Sequence, residues 1–213
     1  MGPPRTLTWQ EQGVFALITD SKNSEWVETP LLSSEDTKLQ RIGTLNLSAD
    51  GDLEGDIREL FWGNESINWR IQHARQNDAE REELIREQVK ERFSEFEVTN
   101  IFEVTNIKVT ASPDAGKPIG IGYHLRVKGY AQRTGKRLFL RPSFFTAGQS
   151  AYFADANRTN IIYFRYPWSE SDAVDIRLPE GFELDHADKP PPFEFPPVGK
   201  YTVGLSVDKT TIP

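Results

Sequence analysis

Side chains that could act as nucleophiles, acid–base groups or metal ligands are few in this sequence and widely spaced. The chain has no cysteine among its 213 residues, which excludes disulfides, thiolate nucleophiles, and zinc or iron–sulfur sites ligated by cysteine. The three histidines are His73, His124 and His186, and no two lie within four positions of each other. Because a site needs partners that converge, we expect each histidine to be a surface or packing residue.

Serine nucleophiles and phosphate loops also lack their usual sequence context. No serine lies in a Gly-x-Ser-x-Gly pattern, and Gly120-Ile121-Gly122 lacks the third glycine of a dinucleotide-binding loop. The sequence therefore predicts no catalytic residue, no cofactor and no metal site, and we expect the chain not to be an enzyme. A glycosidase with two facing carboxylates is the alternative, although no such pair stands out.

The segment Asp50–Asp56 resembles the start of a calcium-binding loop. Carboxylates occupy positions one, three and five and glycine occupies position six, but position twelve is Phe61 instead of glutamate. The flanking residues alternate between apolar and polar, and Asp-Gly is typical of a two-residue hairpin turn. We therefore predict a hairpin tip here, with a calcium loop as the alternative.

The elements that must position these residues are mainly strands, because a period of two dominates the sequence. The clearest is a hairpin over 38–48 and 53–61. Apolar residues at helical spacing predict one bent helix or two short helices over about 64–94. Further strands are predicted at 14–18, from 96 onward, and at 119–127, 137–140, 160–166, 173–178 and 201–207. Clustered prolines at 190–192 and 196–197 predict a rigid extended connector.

These elements predict a mainly β fold, an antiparallel β-sandwich with a helical insertion at about 64–94. The apolar faces of 119–127, 160–166 and 173–178 should form its core, together with Val89 and Phe93 of the helix. We expect residues 1–36 to be an N-terminal extension that continues from an upstream domain, and 37–213 to be the β-sandwich domain. Both ends of the sequence favour a part of a longer protein.

A hexapeptide, Phe-Glu-Val-Thr-Asn-Ile, occurs twice in succession at 96–101 and 102–107. A duplication of even length keeps the inward and outward phase of a strand. We interpret it as a tolerated duplication at a strand end, because solenoid repeats are longer and need three or more copies.

Charge is unevenly distributed along the chain. The formal net charge is −7, which argues against nucleic-acid binding. Between residues 115 and 154 there is no acidic residue, but seven basic ones: Lys117, Arg126, Lys128, Arg133, Lys136, Arg137 and Arg141. Residues 78–97, which lie mostly in the predicted helical stretch, by contrast hold eight acidic and four basic residues. The seven basic residues either lie beside this acidic helix and are compensated by it, or form a basic patch that binds a partner or an anionic polymer.

No membrane-spanning run and no signal peptide are present in this sequence.

Several segments carry a family resemblance when they are taken in order. They are Leu7–Leu17, Glu28-Thr29-Pro30, Asp50–Gly55, Gly129-Tyr130-Ala131, Lys136-Arg137-Leu138, Arg141-Pro142, Arg158, Tyr166-Pro167, Asp172 and Leu178–Phe182. Together they resemble a C-terminal β-rich module of unknown function that follows the core of bacterial transglutaminase-like proteins. The tandem hexapeptide departs from the family pattern.

The resemblance implies a non-catalytic accessory module that packs beside or regulates a transglutaminase-like core of the same chain, or binds a partner polypeptide. The family core uses a Cys-His-Asp arrangement, and this chain has no cysteine to align with it. The resemblance also implies a periplasmic or extracellular location for the parent protein. A carbohydrate- or peptidoglycan-binding module is the alternative, with exposed tryptophans as its ligand contacts. Its candidate residues are Trp26, Trp62, Trp69 and Trp168, which we otherwise expect to be buried.

Overall fold

A computed structural model describes residues 6–93, 102–141, 144–146, 153, 157 and 159–207. The chain divides into two compact units, Met1–Arg177 and Leu178–Pro213. The predicted boundary between residues 36 and 37 does not coincide with this division and stays a prediction.

A five-stranded sheet forms the centre of the first unit, and the strand order across it is β5-β6-β4-β3-β9. Two further pairs, β1-β2 and β7-β8, form separate two-stranded sheets. The elements are β1 (Phe15–Ile18), β2 (Glu25–Glu28), β3 (Lys38–Leu47), β4 (Leu53–Phe61), α1 (Asn64–Gln72), α2 (Asp78–Phe93), β5 (Phe102–Ala111), β6 (Ile119–Val127), β7 (Gln132–Thr134), β8 (Arg137–Phe139) and β9 (Ser169–Arg177). A mainly β, antiparallel-rich fold with two helices inserted at 64–94 is therefore confirmed, and a sandwich-like arrangement is compatible with it.

The β3–β4 hairpin forms where it is predicted, but its turn is longer than two residues: the Ser48 N–H donates to the Asp52 carbonyl at 2.8 Å and the Gly51 N–H to the Ser48 carbonyl at 3.0 Å. Gly51 has a φ of 93°, which glycine adopts without strain. The backbone of Ala131 approaches this turn closely, and its N–H donates to the Gly51 carbonyl at 2.9 Å. A Cβ atom on Gly51 would lie only 2.2 Å from the Ala131 carbonyl oxygen. Glycine is therefore required both by the turn and by the chain that packs over it.

The edge strand β9 pairs in parallel with β3, from Lys38 opposite Ser169 to Asn46 opposite Arg177. The other neighbours in this sheet are antiparallel. A parallel pairing needs a long crossover connection, and here the chain between the two strands contains both helices and β4 to β8. One edge of the sheet is thus formed by a strand that lies far from its neighbour along the sequence.

One face of this sheet is buried and carries the core. Alternate residues of β4 and β6 point inward, and every second residue of β6 from Ile119 to Val127 is buried. Helix α2 contributes Ile85, Val89 and Phe93, so the predicted packing of Val89 and Phe93 is confirmed. Phe144 and Phe145 are both 1% exposed, and Phe144 packs on Phe93 with ring centroids 5.1 Å apart.

A buried arginine interrupts the apolar core next to the edge strand. Arg41 of β3 is 4% exposed, and its guanidinium donates from Nε and Nη2 to the two Asp172 carboxylate oxygens at 2.7 and 3.0 Å. Nη2 also donates to Glu170 at 3.1 Å, and the guanidinium lies 5.3 Å from the Phe145 ring centroid. Because a buried charge is stable only when paired, these two carboxylates of β9 hold Arg41 and the edge strand together.

The second copy of the hexapeptide begins β5, whereas the first copy lies outside the described residues. A β-bulge places Asn106 and Ile107 opposite Tyr123 alone. Asn106 has a φ of 54°, a left-handed conformation that asparagine tolerates better than most residues. The bulge shifts the phase of the strand, so that Val104 and Ile107, three positions apart, are both buried.

In the later part of the chain the strands predicted at 160–166 and 201–207 are wrong, whereas the strand at 173–178 is confirmed but contributes less to the core than predicted. Residues 160–166 form no strand, and Ile161 is 92% exposed, because the chain there runs over the surface outside the sheet. The strand predicted at 173–178 is β9, but Val174 and Ile176 are only half-buried since β9 lies at the sheet edge. In the second unit, only Tyr201 of the strand predicted at 201–207 belongs to a strand. The segment framed by prolines contains β10 (Phe193–Phe195), which pairs antiparallel with β11 (Gly199–Tyr201).

Replacing Arg41 by methionine tests the clamp on the edge strand. Arg41→Met keeps most of the side-chain volume but leaves Asp172 and Glu170 without their donor, so we expect the free energy of unfolding to fall by about 2–4 kcal/mol. Chemical denaturation measures this change. Lys90→Met, which removes an exposed pair with Glu87, is the control and should change the free energy by less than about 0.5 kcal/mol. Equal effects would show that Arg41 is no more than a surface charge.

Replacing Gly51 and Gly129 by alanine in separate variants distinguishes the cost of backbone strain from the cost of a steric clash. Gly129 also has a positive φ, of 65°, but no atom lies within 4 Å of the place of its Cβ. Gly129→Ala should therefore cost about 1–2 kcal/mol from backbone strain alone. Gly51→Ala adds the clash with Ala131 and should lower the midpoint of thermal unfolding clearly more than Gly129→Ala. Similar midpoints would contradict the close approach of Ala131.

Candidate functional site

The β1–β2 hairpin carries a large exposed apolar surface. Leu17 pairs with Trp26 and Phe15 with Glu28, so these four side chains share one face. Phe15 is 76% exposed and Trp26 69%, and Leu17 is also exposed. We call Phe15, Leu17 and Trp26 the hairpin face. Exposed aromatic side chains at this density are typical of a surface that contacts another polypeptide.

Buried polar side chains fix the base of this hairpin to the body of the first unit. Gln12 donates from Nε2 to the Asn64 Oδ1 at 2.8 Å, and Asn64 Nδ2 donates back to the Gln12 Oε1 at 3.2 Å. Asn64 begins α1 and also contacts Thr37 Oγ1, which precedes β3. All three side chains are buried. Because buried amides are stable only with their partners, the hairpin face is held in a fixed place relative to α1 and β3.

The structure places two of the predicted basic residues, Arg126 and Arg133, beside the turn where β3 leads into β4. Arg133 donates to the Ala49 carbonyl at 3.2 Å and to the Asp50 carboxylate at 3.3 Å. Arg126 lies 3.6 Å from the Glu54 carboxylate. Lys128 follows the end of β6, Lys136 lies in the turn between β7 and β8, Arg137 begins β8, and Arg141 follows it.

Lys117 lies apart from the other six predicted residues. It precedes β6, whose first residue Ile119 pairs with Phe61, whereas Arg126 is next to the last residue of β6, Val127, and the other five residues follow that strand. Its backbone carbonyl accepts from Arg70 Nη2 at 3.2 Å. The carboxylates beside Arg126 and Arg133 come from the β3–β4 hairpin and not from the acidic helix α2. A partner-binding role for this set stays a prediction.

The carboxylates of the Asp50–Asp56 segment have protein partners. Asp52 accepts from the Gly129 N–H at 2.9 Å, in addition to the contacts of Asp50 and Glu54 described above. On the solvent face of the sheet, His124 lies between Asp56, 3.0 Å from Nδ1, and Glu54, 3.2 Å from Nε2. Among the described residues, no group of three or more histidine, aspartate or glutamate side chains is arranged to hold a metal ion.

A second charged cluster is buried under the sheet, and the sequence analysis did not single it out. Tyr123 donates to the Glu59 carboxylate at 2.8 Å, and Arg92 of α2 donates to the same oxygen at 3.1 Å. Burial, followed by the nearby Glu59, raises the pKa of the Tyr123 phenol well above its ordinary value. Glu59 occupies an inward-facing position of β4. An acidic residue among the apolar residues of this face was the sequence feature that could have revealed the cluster. Tyr123 and Glu59 are buried and Arg92 is half-buried, and together they join α2 to the sheet.

The tryptophans differ from the burial expected of them. None of Trp26, Trp62, Trp69 and Trp168 is fully buried: Trp26 and Trp168 are exposed, and Trp62 and Trp69 are half-buried. Trp69 stacks on His73 with ring centroids 4.3 Å apart, so the indole lies against the end of α1. The predicted burial was wrong because these residues lie on the helices, the hairpin and the loops, outside the inner face of the sheet.

Residues 136–213 match the sequence model of a domain of unknown function with a solved structure, DUF3858. No curated protein and no solved structure matches the chain. Neither described helix is long and apolar enough to cross a membrane. The match agrees with the part of the resemblance that names a module of unknown function. The match itself does not link the chain to transglutaminase-like proteins.

The pH dependence of stability tests the His124 contacts. Its hydrogen bond with Asp56, assisted by Glu54, raises the pKa of His124 above its ordinary 6.5. A raised folded-state pKa gives stability that is fully present below the unfolded value and is lost as pH rises through the folded value. His124→Gln should therefore destabilise the protein at about pH 5.5 and have little effect at about pH 9.

Chemical denaturation across this pH range is the measurement. Asp56→Asn is the matched control, and in that background the effect of His124→Gln should depend less on pH. An effect of His124→Gln that stays constant from acid to alkaline pH would contradict the charge interaction.

Proposed function

We propose that this chain is a non-catalytic accessory module of a transglutaminase-like protein, which packs beside the core or regulates it, or binds a partner polypeptide. The exposed hairpin face is the observation that carries the proposal. A hairpin that leaves Phe15 and Trp26 mostly in water gains stability when another surface covers them.

The chemistry of the hairpin indicates what that other surface should present. An acidic side chain borders the apolar residues, because Glu28 pairs with Phe15 and shares their face. An apolar patch with acidic neighbours is complementary to an apolar patch with basic neighbours. The buried Gln12–Asn64 pair holds the hairpin in place before binding, so less conformational entropy is lost on association.

The sequence itself supports the non-catalytic part of the proposal. Transfer through a thioester needs a thiolate, and the chain contains no cysteine to provide one. The resemblance described above supplies the transglutaminase-like identity of the core and the periplasmic or extracellular location.

The reading frame around this sequence and a comparison of proteins with and without it test the proposal. A transglutaminase-like core on the same polypeptide is required. That core should lose thermal stability, or change in amide-transfer or peptidase activity, when this chain is deleted. Unchanged stability and activity without the chain would remove the accessory role.

Substitutions on the hairpin face test where the core binds. Trp26→Ser and Phe15→Ser should each weaken association of the separately produced chain with the core by about tenfold or more, since aromatic anchors carry most interface energy. The isolated variants should unfold at nearly the same midpoint as the unchanged chain, because both side chains are already exposed. Association is measured by isothermal titration calorimetry. Phe139→Ser, an exposed aromatic on β8, is the control, and an equal loss there would contradict the assignment to the hairpin.

A further inference from the structure

A cleft of about 340 Å³ lies between the single helical turn Trp9–Glu11 and helix α1. Its volume falls near the lower end of the range for small-molecule sites, about 300–1,000 Å³. Trp9 and Gln10 line one wall, and Asn68, Ile71 and Gln72 line the other. Asn68 and Gln72 are four positions apart, so they share one face of α1.

The two walls are held in place before any ligand binds. The reciprocal hydrogen bonds between Gln12 and Asn64 join the end of the Trp9 turn to the start of α1. The turn itself is closed by the Glu11 carboxylate, which accepts from the Thr8 N–H at 2.8 Å and from the Thr8 hydroxyl at 2.9 Å. A cleft between fixed walls binds a ligand with less loss of conformational entropy.

Uncharged hydrogen-bonding groups of the cleft remain available to a ligand. Within the described part of the chain, the side chains of Gln10 and Gln72 have no hydrogen-bond partner. Asn68 donates from Nδ2 to the Tyr166 hydroxyl at 2.8 Å, which leaves its carbonyl oxygen to accept. Each amide offers both donors and an acceptor, which is the combination that vicinal hydroxyl groups require.

The charges at this end of α1 do not favour an anion or a cation. Glu11 is already bound to Thr8, and the Arg165 guanidinium lies 5.6 Å from the Trp9 ring centroid. Glu65 accepts from the Tyr166 hydroxyl at 3.2 Å, and burial raises the pKa of its carboxyl. A ligand with an apolar face for the indole and several hydroxyl groups for the amides fits this surface best.

We infer that this cleft binds a neutral carbohydrate ring, whose C–H face lies against Trp9 and whose hydroxyl groups bond to Asn68 and Gln72. This binding goes beyond the proposed accessory role and does not depend on it. The hairpin face and the cleft are formed by different residues, so each can be removed without the other.

Titration of the full chain with triacetylchitotriose, and separately with cellotriose, tests the inference by nuclear magnetic resonance. We expect at least one sugar to shift the Trp9 indole and the Asn68 and Gln72 amide resonances in a saturable way. Trp9→Ala should weaken binding about tenfold, and Gln72→Ala, on an exposed position that leaves the fold intact, about threefold. Trp26→Ala is the matched control and should bind as the unchanged chain does.

Three results would overturn the inference. The first is the absence of saturable shifts at these residues with both sugars. The second is binding that Trp26→Ala abolishes and Gln72→Ala leaves unchanged, which would place the sugar on the hairpin face. Tighter binding of inorganic phosphate than of either sugar at the same residues would likewise contradict a neutral ligand. Loss of association with a transglutaminase-like core would leave these outcomes unaffected.

Discussion

The buried guanidinium of Arg41 joins β3, near the start of the first unit, to β9 at its end. Removing an arginine from water is costly, and it is offset here because Asp172 accepts two hydrogen bonds and Glu170 a third. Arg41 and Asp172 are 131 positions apart, so this contact forms only when the edge strand is in register with β3. Phe145 covers the guanidinium and excludes water from it. The placement of the edge strand and of the aromatic cover therefore depends on one pair of charges.

This constraint also explains why the first unit needs residues on both sides of position 136, where the match to the domain of unknown function begins. The match to a domain of unknown function begins at residue 136, yet β3 to β6 of the central sheet precede it and β9 lies within it. Phe144 and Phe145, which complete the core, also lie within the match. The first unit is thus built from both parts, and a fragment cut at residue 136 would lack an edge strand and part of its core. The surfaces on β1–β2 and α1 accordingly belong to a unit that cannot fold fully without the residues that match the domain of unknown function.

The sequence predicts those elements whose local pattern agrees with their final environment. The β3–β4 hairpin could be predicted because its Asp-Gly turn and its alternation agree, and the two helices because their apolar residues recur at helical spacing. The sequence did not reveal the pairing of β9 with β3, since no local signal records a partner more than 100 positions away. It also misassigned 160–166, where an apolar run lies on the surface, and it did not single out the buried Arg41 and Glu59. The candidate surfaces depend on exposure, which a pattern of residue types does not determine: the hairpin face and the Trp9 cleft both emerged only when the tertiary contacts were known.

The central claim is that residues on both sides of position 136 form one cooperative unit held by the Arg41–Asp172 contact. Native-state hydrogen exchange at low denaturant concentrations tests it most directly. The account predicts that the β9 amides bonded to β3 exchange with the same free energy and the same denaturant dependence as the amides of β4 and β6. Exchange of β9 through a separate opening of much lower free energy, while β3, β4 and β6 remain protected, would contradict the account.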